Sequence, residues 1–222
     1  VAGPSHDEID PKRIRIADLI LRLRRAGITD QRVVSAIEAV PRELFVAPES
    51  REQAYAERPL PIDCGQTISA PVIVGIMTNA LDAGERDRVL EVGTGSGYQA
   101  AVLARLCRRV YTIERFRTLT EAAEQRFRTL RIANITTLTG DGMNGWPEQA
   151  PFDRIIVTAA GEAVPEALRK QVKVGGVIVM PVGPTDGVQK LMRLERTEEG
   201  FKEASLGDVR FVPLIPGKAA RL

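Results

Sequence analysis

Four short stretches of this 222-residue chain hold residues whose types and spacing could do chemistry. GQTISAP (65–71) carries two hydroxyls, Thr67 and Ser69, on either side of the apolar Ile68. EVGTGSGY (91–98) spaces Gly93, Gly95 and Gly97 as G-x-G-x-G. Glu114 stands in IER, and Asp141 stands between two glycines, Gly140 and Gly142. Glycines allow a tight strand-to-helix turn and let a ligand approach the backbone closely. A carboxylate can accept both hydroxyl hydrogens of a ribose, and an aspartate can accept from the exocyclic amine of adenine.

Each stretch also has a plainer reading. The glycines could be a turn that binds nothing. Glu114 could pair with Arg115 or Arg117 on the surface, and Asp141 could simply shape a turn. The loop is not the dinucleotide fingerprint G-x-G-x-x-G, because Tyr98 fills the expected glycine position. It is not a phosphate-binding P-loop either, since no Gly-Lys-Ser/Thr follows. The three features fall at the ends of three consecutive strand patterns, where open parallel sheets bind ligands. Together they describe a site for an adenosine compound with a free ribose and no phosphate cage. S-adenosylmethionine fits that description better than a dinucleotide.

The elements that must position these residues follow from periodicity. Apolar residues at helical spacing predict a helix from Pro11 to Gly27, with Gly27 ending it. Asp30 is placed to cap a second helix that stops before Pro41. Residues 41–64 hold four prolines with irregular spacing, an irregular connection with short helical turns. Pro71 to Leu81 reads as helix. Strand and helix signals then alternate: strands at 87–92, 109–114, 135–140, 152–160 and 175–183, and helices at 98–107, 119–131 and 164–172. Such alternation predicts an α/β fold, a doubly wound and mostly parallel sheet with helices on both faces. QKLMRLERT, FKEASLG and DVRFVPL read as antiparallel strands, a terminal hairpin added to that sheet. The chain is expected to be one catalytic domain. A helical and irregular lead-in (1–80) carries GQTISAP, an α/β core (81–183) binds the cofactor, and antiparallel strands with a tail (184–222) close the chain.

Composition narrows the class. The formal net charge is +2, which implies no strong field for nucleic acid. The arginine-rich stretch ERFRTLTEAAEQRFRTLR is broken by Glu114, Glu121 and Glu124, so it reads as a solvated helix face. Two cysteines, Cys64 and Cys107, are too few for a disulfide framework and fit a reducing compartment. There is no eighteen-residue apolar run, and VAGPSHDEID lacks a signal peptide's apolar core. The reading is a cytoplasmic, monomeric protein with no membrane or nucleic-acid partner. The first ten residues read as loosely attached. His6, the one histidine, lies there and is assigned no role. No metal-ligand cluster is visible. Trp146 reads as packing a loop or shaping a pocket rim, and Cys64 as structural.

EVGTGSGY, IER, GDG, PFDRIIVTAA and GGVIVMPVG follow the order of class I methyltransferases. With RPLPIDCGQTISAP ahead and VRFVPL behind, the chain resembles the protein-L-isoaspartate O-methyltransferase family from about Val40 to Leu214. GQTISAP and VRFVPL are the more specific motifs. The resemblance implies methyl transfer from S-adenosylmethionine to the abnormal carboxylate of isoaspartyl residues in damaged proteins, with S-adenosylhomocysteine as product and no metal. The ester then collapses to a succinimide. It also implies that Gly93, Gly95 and Gly97 line the methionine portion, that Glu114 holds the ribose, and that Asp141 and Gly142 contact adenine. By the same resemblance, Ser69 is the active-site residue, Thr67 lies with it, and Phe211 and Val212 belong to a strand that contacts the peptide. Val74 stands where some members have histidine.

The chemistry is consistent with this. An amine or hydroxyl acceptor usually wants a base, and a carboxylate does not. With a pKa near 4 it is about 99.9% ionised at pH 7. It needs orientation, which neutral donors supply with less loss of nucleophilicity than a fixed cation. Ser69 could instead be a helix cap. Ala70, however, precedes Pro71 and is pushed out of the helical region. Ala70 is therefore the expected cap, which leaves the Ser69 hydroxyl less committed to the helix. The alternatives are a methyltransferase acting on RNA or a small molecule, or a cofactor-binding module without turnover.

Overall fold

The structure, a computed structural model, describes residues 10–219. His6 and all but the last of the ten residues read as loosely attached lie outside that range. In chain order the elements are α1 (Pro11–Arg25), α2 (Gln31–Ala39), β1 (Leu60–Pro61), β2 (Thr67–Ile68), α3 (Pro71–Leu81), β3 (Arg88–Val92) and α4 (Tyr98–Leu103). They continue with β4 (Arg109–Glu114), α5 (Arg117–Thr129), β5 (Ile135–Thr139), β6 (Phe152–Val157), α6 (Glu166–Gln171), β7 (Val172–Val182), β8 (Gln189–Thr197) and β9 (Gly200–Val209). Short 3₁₀ turns, among them Arg42–Phe45 and Pro48–Gln53, fill the proline-rich connection.

Local chemistry sets the helix ends. The Asp10 carboxylate accepts from Lys12 N at 2.9 Å, with Pro11 at the first helical position. Gly27, at φ +84°, follows the last turn of α1. Asp30 accepts from Arg32 N at 2.8 Å and starts α2. Ala70 is the cap residue of α3, with no side-chain capping bond, and Pro71 opens the helix. The Ser69 hydroxyl is thus free of capping, as expected.

The main sheet runs β5-β4-β3-β6-β7-β8-β9. β5 through β7 pair in parallel, while β7-β8 and β8-β9 pair antiparallel. Successive strands leave β3 in opposite directions, so the switch point lies between β3 and β6. One face packs on α1 to α5 through residues such as Leu23, Met77, Leu103 and Phe127. The other packs under α6 and the loop at Trp146, through Leu90, Ile113, Phe152 and Leu168. The helices therefore cover both faces, unevenly.

Several boundaries differ from expectation, among them the ends of α5, β6 and β7, and three differences have clear physical reasons. α4 stops at Leu103 rather than 107, because Arg105 N and Leu106 N bond to carbonyls three residues back and tighten its last turn. α6 starts at Glu166, because Pro165 keeps Val164 from joining a helix. FKEASLG and DVRFVPL are not two strands. β9 runs unbroken from Gly200 to Val209, and Phe211 and Val212 lie beyond it, outside any strand. There the chain turns back: Ala160 N donates to Val212 O at 2.8 Å and Leu214 N donates to Ala160 O at 2.7 Å. This makes one parallel bridge, Ala160 to Pro213, in place of the expected peptide-contacting strand. β1 and β2, a two-residue antiparallel pair that positions Thr67, had no counterpart in the sequence reading.

Candidate active site

A cleft opens over the carboxyl ends of β3, β4 and β6, at the switch point. Its empty space, open mouth included, is about 870 Å³, enough for a nucleoside-sized ligand. Gly93, Gly95, Glu114 and Gly142 line it, with Thr67 and Ser69 at its edge. A second, smaller recess shares Thr67, Ser69, Thr158 and Val212 with it and adds Ile73, Arg210 and Phe211. Two hydroxyls from GQTISAP and one from the end of β6 therefore stand where the two spaces meet.

The glycine loop is shaped for close approach. Gly93 has φ +96°, and a Cβ there would sit 2.4 Å from Thr158 Oγ1. Thr158 Oγ1 donates to Gly93 O at 2.6 Å, so the loop is tied to β6 at the point where a side chain is missing. Gly97 does not line the cleft. Its φ is +89°, and a Cβ would meet the Phe127 ring at 2.8 Å, so its glycine serves the packing of α4 on α5. Arg126, read with its neighbours as solvated, turns inward: its guanidinium donates to Leu44 O at 3.0 Å and Ser96 O at 3.2 Å.

The Glu114 carboxylate accepts from Gly95 N at 2.9 Å and from Phe116 N at 3.1 Å. It is nearly buried, and one acceptor position on each oxygen remains for a diol. A surface pair with Arg115 or Arg117 is not what holds it. Asp141 shapes a turn, which was its plainer reading. It caps a 3₁₀ turn, accepting from Met143 N at 2.9 Å and from Asn144 Nδ2 at 3.2 Å, and does not line the cleft. Gly142 does line it, and a Cβ there would lie 2.3 Å from Val92 Cγ1.

Beneath the loop lies a group that sequence reasoning did not single out. Glu91 on β3 is fully buried and accepts from the Thr112 hydroxyl on β4, which lies 2.6 Å from the Thr94 hydroxyl. Its Oε1 has no partner among the described residues. Burial pushes its pKa up to about 8, against the Thr112 bond, so at neutral pH the carboxyl is largely protonated. Thr158 and Leu214 were also missed. Thr158 was findable, because it falls near the carboxyl end of the strand read at 152–160, where this fold binds ligands.

Neither cysteine is set up as a nucleophile. Burial raises the Cys64 thiol, helped by Asp63 and Glu114, and burial pushes Cys107 up to about 12. Trp146 packs edge-on against Tyr111 at 5.7 Å, away from the cleft. Among the described residues, no group of three His, Cys, Asp or Glu side chains could hold a metal. Val74, on α3, is an apolar wall of the cleft.

The sheet order, the glycine loop and a ribose-suited carboxylate at the end of the second core strand define a class I S-adenosylmethionine-dependent methyltransferase. A family model described as "Protein-L-isoaspartate(D-aspartate) O-methyltransferase (PCMT)" matches residues 14–219. The chain belongs to that family. It is 58% identical over 217 residues to a protein-L-isoaspartate O-methyltransferase of Parvibaculum lavamentivorans, covering 97% of this chain and 96% of that one. A relative of the same name from Paracoccus denitrificans is 57% identical over 198 residues, covering 89% and 92%. A solved protein-L-isoaspartate O-methyltransferase superposes with TM-score 0.79 at 28% identity, over 89% of this chain and 65% of that one. A Plasmodium falciparum structure described as a member of the family, in complex with S-adenosyl-L-homocysteine, gives TM-score 0.76 at 26% identity, covering 89% and 97%.

Proposed function

We propose that this chain methylates the free carboxylate of L-isoaspartyl residues in damaged proteins and peptides, and so starts their return to aspartate through a succinimide. S-adenosylmethionine, when bound, supplies a methyl group on a positively charged sulfur. The residues fit it: Gly93 and Gly95 leave room against the backbone, Glu114 keeps acceptors for the ribose, and Gly142 and Phe116 stand at the far wall. Asp141 supports that wall by capping the turn that carries Gly142, which is a more indirect role than adenine recognition. The observation that carries the reading is the meeting of the two spaces at Thr67, Ser69 and Thr158.

An acceptor carboxylate at that meeting point finds neutral donors. Ser69 is its orienting residue and Thr67 its neighbour, while Phe211 and Val212 border the peptide's side. The new bond is carboxylate oxygen to methyl carbon, and the bond broken is methyl carbon to sulfur. The positive charge of the sulfur and the negative charge of the carboxylate disappear together, so no proton moves and no base is needed. Orientation of this kind can lower a barrier by roughly 7–11 kcal/mol. Val74 fits a reaction without a base.

The chain works as one catalytic domain and a monomer in the cytoplasm, on protein substrates and not on nucleic acid. Its small formal net charge of +2 supports this. Among the described residues no helix is long and apolar enough to cross a membrane. The test is transfer of labelled methyl to matched peptides carrying isoaspartate, D-aspartate or normal aspartate. Label on the isoaspartyl peptide and not on the normal one, released as methanol by mild base, is expected. Label on neither, with cofactor still bound, would sink the proposal and make RNA the next acceptor to try.

A further inference from the structure

Arg42 has no exposed surface, and among the described residues no carboxylate hydrogen-bonds to it; Glu57 acts on it only through space. Burial lowers its pKa, partly offset by Tyr98. A buried cation without a partner charge is costly and is kept only where its contacts matter. Its Nε donates to Ala54 O at 2.6 Å and its Nη2 to Ser69 O at 2.5 Å. Its guanidinium lies 4.7 Å from the centre of the Tyr98 ring, which Phe45 meets edge-on at 5.4 Å. Tyr98 is the residue after Gly97 and lines the cleft. Nη1 and the Tyr98 hydroxyl, both buried, have no hydrogen-bond partner among the described residues.

One planar group thus touches the carbonyl of the proposed orienting residue and the first residue of the helix that the glycine loop opens. We infer that Arg42 is a positioning residue for methyl transfer, which fixes the Ser69 segment against the cofactor loop and so sets where the acceptor carboxylate meets the methyl group. The inference rests on the reading of Ser69 as the orienting residue. The geometry needs a fork: Nε and Nη2 point to two carbonyls 15 residues apart, Ala54 and Ser69, while the guanidinium carbon lies over the Tyr98 ring. A lysine ammonium carries all its donors on one nitrogen and cannot reproduce a planar fork whose separate nitrogens reach the two carbonyls. The guanidinium also stays one layer behind the acceptor, so it orders the donors without pairing directly with the nucleophile.

The experiment compares wild type, Arg42→Lys, Arg42→Met, Ser69→Ala and the Arg42→Lys/Ser69→Ala double variant. It measures kcat and KM for an isoaspartyl peptide and cofactor affinity by calorimetry, with rates normalised to cofactor-binding sites so that unfolded protein does not count. In folded Arg42→Lys, kcat is expected to fall roughly ten- to a hundred-fold, with peptide KM and cofactor affinity within about two-fold. The double variant should lose little more than the worse single one, because both changes spoil one arrangement. Arg42→Met should lose at least as much, and where it does not fold, Arg42→Lys decides. A normal kcat in folded Arg42→Lys with a slow Ser69→Ala overturns the positioning role and leaves the Ser69 reading standing. So do losses that multiply in the double variant. An unchanged rate in Ser69→Ala removes the Ser69 reading itself, and the inference with it.

Discussion

Among the described residues, the Ser69 hydroxyl, like that of Thr67, makes no hydrogen bond within the fold, unlike several other polar groups around the cleft. Thr158 holds the glycine loop, Glu114 holds Gly95 and Phe116, and Asp141 holds its own turn. Ser69 is spared from capping α3 because Ala70 and Pro71 do that work. Ser69→Ala is therefore expected to cost little stability. It should lower kcat by about ten-fold, the scale of one hydrogen bond to a charged group, while cofactor affinity holds. An equal loss in cofactor affinity would assign Ser69 to the cofactor instead. Glu114 has the opposite profile. Glu114→Gln keeps the shape but gives up one acceptor and the charge. S-adenosylmethionine should bind on the order of ten- to a hundred-fold more weakly, with the rate at saturation less affected. Calorimetric titration checks it, and wild-type affinity would contradict the ribose assignment.

At the scale of elements, the core strands were legible because strands favour β-branched and aromatic residues, and VLEV, RVYTIE and RIIV are rich in them. The glycine loop and Glu114 followed from where those strands end. β1 and β2 were not legible, since two residues carry no periodicity. The role of Asp141 was not legible, because its spacing is the same whether its carboxylate caps a turn, as it does here, or faces a ligand. The Glu91–Thr112 contact joins β3 to β4 and was hidden for another reason: a single acid within an apolar strand shows its state only once its burial is known. Its raised pKa has a consequence for stability. Between the ordinary carboxyl value and about 8, the folded chain keeps a proton that the unfolded chain releases. Stability therefore falls as pH rises through that window and levels off above it. Glu91→Gln removes the titrating group and should flatten this part of the profile, gaining a few kcal/mol at pH 8 relative to wild type. Urea unfolding at pH 5, 6.5 and 8 measures it. Parallel profiles for the two proteins would mean that Glu91 is ionised in the fold.

At the scale of the whole molecule, the cleft is closed by chain from both ends of the sequence around a core that could not close it alone. The lead-in brings Thr67 and Ser69 to one side. The segment after β9 crosses back to the end of β6 and brings Val212, Leu214 and Ile215 to the other. Nothing in the periodicity of VRFVPL announces that crossing. It depends on the two backbone bonds at Ala160 and on Gln189, whose side-chain oxygen accepts from Phe211 N at 2.9 Å. The hairpin β8-β9 is complete before the segment begins, so the sheet does not need it for pairing. Ending the chain after Arg210 should thus leave the circular dichroism spectrum near that of the full chain, with a modest loss of melting temperature from the unpaired Ala160 groups. Cofactor affinity should drop at least about ten-fold, because one wall of the cleft is gone, and methyl transfer should fall below detection. A truncated chain that binds S-adenosylmethionine as tightly as the full one would show that the crossing segment serves the peptide alone. A truncated chain that does not fold would make the segment part of what holds the core, contrary to its position beyond the carboxyl end of β6.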